Sequence, residues 1–194
     1  MSGEVSPEWT GKWLAVEAKA NTLLSFEHSI VPGLLQTEDY TRAVLRHNHH
    51  SPIDVEAQVQ ERLRRQSAVL ERADPPMAVF VLDEQVLLRS VGGPKVMRDQ
   101  LERLIQVSMR PKVIVHIIPA GEAGYHPGLA GAFMIARFDG MEVAYQDGTL
   151  KGHVFEDVDQ VSAMSQVWEN IRAVALPQAA SVELIAKAVE RWTA

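Results

Sequence analysis

The chain has 194 residues, 46% of them apolar, with 19 Lys and Arg against 25 Asp and Glu for a formal net charge of −6. That length buries a sizeable core in one compact domain, and the acidic balance argues against nucleic-acid binding by bulk electrostatics, which needs a clustered basic surface. The lack of cysteine excludes disulfides, thiolate zinc sites and a cysteine nucleophile. No apolar run approaches the ~20 residues of a membrane span, and the acidic stretch Met1–Glu8 holds no apolar signal core. A single cytoplasmic domain spanning residues 1–194 is the expectation.

Trp13, Val16, Ala20, Leu23 and Leu24 recur at helical spacing and predict a helix from Trp9 to about Glu27. Pro32-Gly33 interrupts, and Thr37 caps a helix reaching about Arg46, with Glu38 and Asp39 in its first turn. Ser51-Pro52-Ile53-Asp54 opens the next helix, whose stripe is Val55, Val59, Leu63, Gln66 and Leu70. Gln66 is a polar residue on an apolar face, which makes it a ligand-facing candidate whose replacement by leucine should cost little stability.

Met77–Leu82 reads as a buried strand, followed by a short helix over Asp83–Ser90 and a turn at Gly92-Gly93. Pro94 opens a helix with Met97, Leu101, Leu104, Ile105 and Met109 as its stripe, and Lys112–Ile118 reads as a second buried strand. Ala132–Phe138 and Met141–Tyr145 form a hairpin through Asp139-Gly140, and Asp147-Gly148 turns toward a short strand ending at Phe155. Asp157 caps a helix carrying Val161, Met164, Val167, Trp168 and Ile171, and a last helix runs from about Ser181 to Trp192. The fold class is α+β, with a roughly four-stranded sheet packed with amphipathic helices and helical segments at both ends.

The glycines at Gly92-Gly93 and from Gly121 to Gly131 lack the spacings that wrap a phosphate, so no nucleotide cofactor is indicated and no cofactor is expected. His47, His49 and His50 cluster beside Asn48, but the segment reads as an exposed connection, so no metal site is expected. Glu84 reads as a helix-start residue or as a group facing a pocket at the sheet edge. Gln36, Tyr40, Gln66, His116, Tyr125, His126, Tyr145 and Asp147 are polar groups on apolar stripes or beside the sheet. Each has a structural reading, and together they can orient a ligand in an apolar pocket. Residues 42–72 hold six arginines against four acids, a solvated basic face, and residues 139–194 hold nine acids against four bases. A basic patch meeting the acidic patch of a second copy makes a homodimer contact plausible.

These segments resemble the effector domain, DUF5753, that follows a helix-turn-helix in many actinobacterial XRE-type regulators, with WhiJ-like and antitoxin-like relatives. The matching residues are Leu14–Glu17 with Ala20, Val31–Tyr40, Arg62 with Arg65-Gln66, Leu82–Glu84 with Leu88-Arg89, and Val91–Gly93. Gln100-Leu101 with Leu104, Ile118-Pro119, His126–Leu129 with Phe133, Tyr145, Ala175-Leu176 and Ser181 continue the match over nearly the whole chain. Such regulators carry their helix-turn-helix ahead of this region, whereas Met1 stands only a few residues before the match, so a domain without its DNA-binding part is expected. The family tends to have a glutamate two positions after the tyrosine matching Tyr145, where this chain has Asp147.

The resemblance implies an effector domain that binds a small apolar molecule or a small companion protein and does not contact DNA, and it adds Phe133 to the candidate ligand-binding residues. The alternative is a stand-alone biosynthetic enzyme on the same scaffold, a cofactor-independent cyclase or isomerase that holds a natural-product intermediate in a reactive conformer. Shaping a dry pocket around one conformer supplies up to roughly 7–11 kcal/mol of a barrier without a metal or nucleophile.

Overall fold

The computed structural model describes residues 8–47, 55–148 and 151–193. Helix α1 (Glu8–Lys19) hands over directly to strand β1 (Thr22–Glu27), so the helix predicted to reach Glu27 stops a full strand earlier. The cause is tertiary. The guanidinium of Arg72 takes the carbonyls of Ala18 and Ala20 at the helix end. The residues that follow then pair on both sides, parallel with β2 and antiparallel with β4. Two ladders of backbone hydrogen bonds and burial on both faces outweigh a modest helical periodicity.

The sheet therefore has six strands in the order β3-β2-β1-β4-β5-β6, where roughly four were predicted. Strands β2 (Met77–Asp83) and β3 (Val113–Ile118) extend β1 in parallel, whereas β4 (Phe133–Phe138), β5 (Met141–Gln146) and β6 (His153–Phe155) continue it antiparallel. The α+β class holds, with β1 as the seam between a parallel and an antiparallel half. At the β4–β5 turn Asp139 and Gly140 adopt φ of 50° and 77°, the left-handed pair that a two-residue hairpin requires.

Alternation along the strands builds two cores. Leu23, Phe80, Leu82, Val115, Ile117, Ala136 and Val143 face α1, α3 (Val55–Leu70), α5 (Pro94–Ser108) and α8 (Gln178–Arg191), with α2 (Glu38–His47) and the short α4 (Gln85–Leu88) on the same side. Leu24, Phe26, Val81, Phe133, Ile135 and Ala144 face α7 (Val158–Ala173) through Val161, Trp168 and Ile171. Asp157 caps α7 by accepting from the Gln160 amide at 3.1 Å, and Thr37 Oγ1 accepts from the Tyr40 amide at 3.3 Å, both as the sequence predicts.

The free edge of β3 is closed by the connection into α8: the Leu176 amide donates to the Ile117 carbonyl, and the Ile117 amide donates to Ser181 Oγ at 2.9 Å. This contact occupies the β3 edge at Ile117, as natural sheets cover exposed edges. The capping signature Ser51–Asp54 and His49 and His50 lie outside the described residues, as does the side chain of His47.

Candidate functional site

Side chains of β1 alternate, so Leu23, Ser25 and Glu27 point to the helix-covered face dominated by α1, α3 and α5. Ser25 lies opposite Met134, which itself lies opposite Tyr145, so these three form a row across β1, β4 and β5. Glu27 ends β1 beside that row, at the carboxyl end of the parallel half. Ligands of open α/β sheets bind outside the carboxyl ends of parallel strands, where the chain changes direction.

The segment Val31–Thr37 and helix α3 roof this end of the sheet, and their polar groups are tightly bonded. Gln36 Nε2 donates to the Val31 carbonyl at 2.7 Å, and Gln36 Oε1 accepts from Thr41 Oγ1 and Arg62 Nη1. Gln66 Nε2 donates to the carbonyls of Gly33 and Gln36 at 2.8 and 2.9 Å, and Gln100 holds the Thr37 amide and the Leu35 carbonyl. Gln66 therefore fastens α3 to the loop, a task that its place on the stripe does not disclose. The Val31 amide donates to the hydroxyl of Tyr40, which is fully buried.

Below this roof, Arg65 makes a two-pronged pair with Glu17 at 2.6 and 2.7 Å, and the Glu17 side chain is 1% exposed. Tyr145 stacks on Trp13 with ring centroids 5.2 Å apart and donates its hydroxyl to Asp147 at 2.7 Å. Burial, and then the bond to Asp147, push the Tyr145 phenol well above its ordinary range. The basic face expected over residues 42–72 is thus largely consumed within the chain. Arg62 and Arg65 turn inward, Arg72 caps α1, and Arg42 pairs with Glu38, Asp39 and Glu56.

Against this satisfied background, a few polar groups stand apart. Among the described residues no donor reaches the Glu27 carboxyl; burial, reinforced by the negative charge of Asp147, raises it from 4.5 to about 8. Arg62 spends one donor on Gln36 and pairs with no carboxylate of the described residues, and burial lowers its pKa, with Arg65 acting in the same direction and Asp147 against it. Both residues keep part of their surface accessible. Trp13 Nε1 and Ser25 Oγ are buried without a partner on the same side of the sheet. Buried polar groups are ordinarily bonded, so these unpartnered groups are exceptional in the interior.

A second polar pair lies on the opposite face. His126 Nε2 is 3.1 Å from Asp83 Oδ2, and Asp83 Oδ1 accepts from the Gln85 amide at 2.8 Å. The ring of Phe26 meets His126 edge-on at 5.8 Å, and a Cβ on Gly128 would stand 2.4 Å from that ring, so only glycine fits. This pair ties the loop before β4 to the end of β2. An open groove of about 490 Å³ between β4 and α7, lined by Arg137, Ser165, Gln166 and Glu169, is polar and shallow, and Arg137 and Ser165 are already bonded to Glu142.

Of the residues singled out in the sequence, Gln36, Tyr40, Gln66, Tyr145 and Asp147 come together around the first constellation. His126 and Phe133 instead belong to the opposite face. His116 bonds the Leu176 carbonyl through Nδ1 at 2.8 Å on the edge strand, and Glu84 accepts from the Ala120 amide at 2.7 Å. Tyr125 is 83% exposed. Glu17, Glu27 and Arg62 escaped the sequence reading as site residues. Glu27 was placed at a helix end rather than on a strand, and the arginine run of α3 gives no sign of which members turn inward.

Among the described residues no group of three or more His, Asp and Glu side chains is arranged to hold a metal, and no helix is long and apolar enough to cross a membrane. No curated protein compared with the chain matches it. The model of one family, described as a domain of unknown function (DUF5753), matches residues 10–187. That span includes Glu17, Glu27, the Val31–Tyr40 roof, Arg62, Arg65 and Tyr145, and the chain belongs to the DUF5753 family.

Proposed function

We propose that the chain is a small-molecule-binding effector domain whose ligand enters at the carboxyl end of β1, under the Val31–Thr37 loop and α3. One observation carries this reading: among the described residues no donor reaches the buried Glu27 carboxyl, and Arg62, bonded through Nη1 to Gln36, pairs with no carboxylate. Leaving a buried carboxyl without a donor and a guanidinium without a counter-ion is costly, and a ligand that supplies them recovers that cost on binding. Trp13 and Tyr145 add an aromatic wall for an apolar body.

Three of the four tryptophans separate this site from the rest of the molecule. Trp13 stacks on Tyr145, Trp168 projects from α7 into the opposite core, and Trp192 bonds the Leu87 carbonyl. A screen of small molecules followed by indole N–H resonances should find ligands that shift Trp13 and leave Trp168 in place. Ligands that shift Trp168 alone, or a screen that moves no indole, would sink the reading.

A second reading, a cofactor-independent isomerase or cyclase, is favoured by Glu27 itself. A carboxyl that titrates near neutrality in a dry setting is suited to handing a proton to a bound substrate. Recovery of the bound molecule after incubation separates the two: an effector domain returns it unchanged, and an enzyme converts it.

A further inference from the structure

We infer that the groove between β4 and α7 binds an extended, uncharged stretch of peptide, whose main-chain amides pair with the side chains of Ser162, Gln166 and Asn170. The groove lies on the side of the sheet packed by α7, opposite Trp13 and Tyr145, and is independent of the ligand-binding reading above.

One wall of the groove is α7, with Ser162, Ser165, Gln166, Glu169 and Asn170, and the other is Arg137 of β4; between them lie about 490 Å³. Val161, Trp168 and Ile171 turn one flank of α7 into the core, and Ser162, Gln166 and Asn170 follow one another at i, i+4 and i+8 along another. Among the described residues the side chains of these three meet no hydrogen-bond partner, and Arg137 spends only Nε, on Glu142 at 2.5 Å. On an open helix face such groups would be solvated separately; here they converge on one recess. Its formal charges cancel internally. Arg137 pairs with Glu142, Glu169 pairs with Arg172 at 3.0 Å, and Ser165 Oγ donates to the second oxygen of Glu142 at 3.2 Å. A charged ligand therefore meets no unbalanced partner. No lining residue is aromatic or apolar, so neither a sugar ring nor a hydrocarbon body finds a surface to lie against.

What remains is a row of neutral donors and acceptors. A carboxamide offers a carbonyl acceptor and two N–H donors. That complements a peptide unit, whose one donor and one acceptor must both find partners when water is displaced. Residues four apart on a helix rise by about 6 Å, and groups on one side of an extended chain recur about every 6.6 Å. Ser162, Gln166 and Asn170 thus stand nearly in step with every second residue of an extended peptide. Arg137 adds its two unspent Nη groups from the facing wall, as donors to a main-chain carbonyl. The shallowness of the groove makes the contact a weak and reversible one.

The test titrates three probes against the full chain: a capped serine–alanine hexapeptide, the same peptide N-methylated at alternate residues, and maltotriose. The readouts are the side-chain amide resonances of Gln166 and Asn170, with the Trp13 indole as control. The hexapeptide is expected to shift both carboxamides to saturation at millimolar concentration, to leave Trp13 in place, and to bind equally at low and high salt, because no net charge is matched. N-methylation removes main-chain donors without adding charge and should weaken binding at least ~10-fold. Gln166→Ala combined with Asn170→Ala should weaken the parent peptide to a similar extent. Both positions are exposed and alanine favours the helix, so this variant keeps α7. Equal binding of the N-methylated peptide overturns main-chain pairing. Carboxamides shifted by maltotriose and not by the hexapeptide, or unmoved by every probe, overturn the peptide assignment outright. No arm of the test requires a ligand at Trp13, so this inference and the reading of the β1 site fail separately.

Discussion

Glu27 owes its state to position. As the last residue of β1 it is largely withdrawn from water, and Asp147 acts on it with a charge of like sign. Its folded pKa of about 8 lies above the 4.5 of the free side chain, so the fold binds a proton that the unfolded chain releases in between. The sign follows. Below 4.5 both states are protonated and Glu27 exacts nothing, across the interval stability declines as pH rises, and above 8 the loss is complete. The loss is at most on the order of 5 kcal/mol. Glu27→Gln should therefore leave the denaturation midpoint nearly unchanged at pH 4, raise it at pH 8.5, and flatten the profile between; parallel profiles for the two proteins would contradict the assignment. Glu17 presents the opposite case, a buried carboxylate made tolerable by Arg65 at 2.6 Å. Arg65→Ala strands that charge and should cost about 3–5 kcal/mol by urea denaturation.

At the scale of elements, α3 is fastened by polar rather than apolar contacts at its centre. Gln66 donates to two loop carbonyls that are otherwise deprived of water. Gln66→Leu leaves both unsatisfied and should cost about 1–3 kcal/mol, where the apolar stripe alone predicted little cost; an unchanged midpoint would return Gln66 to the role of a ligand-facing group. The pair between Asp83 and His126 works alike on the opposite face. Asp83 is buried and accepts from both the ring and the Gln85 amide. His126→Ala removes one of those bonds and should lower stability by about 1–3 kcal/mol, with the change confined in chemical-shift maps to the loop before β4 and the end of β2.

For the whole molecule, β1 is the strand on which the fold turns. It is hydrogen-bonded on both sides, parallel to β2 and antiparallel to β4, and buried on both faces. Strand β6 is three residues long and pairs only with β5. Amide exchange follows the burial and pairing of each strand. The amides of Leu23–Phe26 should exchange near the rate of global unfolding, and those of β6 should exchange orders of magnitude faster. Comparable rates in the two strands would mean that the sheet opens as one unit.

Much of this was legible in the residues. The buried strands β2 and β3, the hairpin at Asp139-Gly140 and the caps at Thr37 and Asp157 follow from local chemistry: an apolar run, left-handed turn residues, and short oxygen-bearing side chains that serve free amides. The block Val31–Tyr40 was legible as the most specific part of the family resemblance, and five of the polar residues singled out do converge. Other features were decided only by the tertiary structure. Thr22–Glu27 has a pattern compatible with a helix, and only pairing with strands more than fifty residues and more than a hundred residues away makes it β1. The same holds for the site. An arginine on α3 looks solvated in sequence whichever way it turns, and a glutamate that ends a segment looks like any exposed acid. Only the tertiary packing strips water from Arg62 and Glu27, because desolvation depends on everything that surrounds a group and on nothing in the group itself.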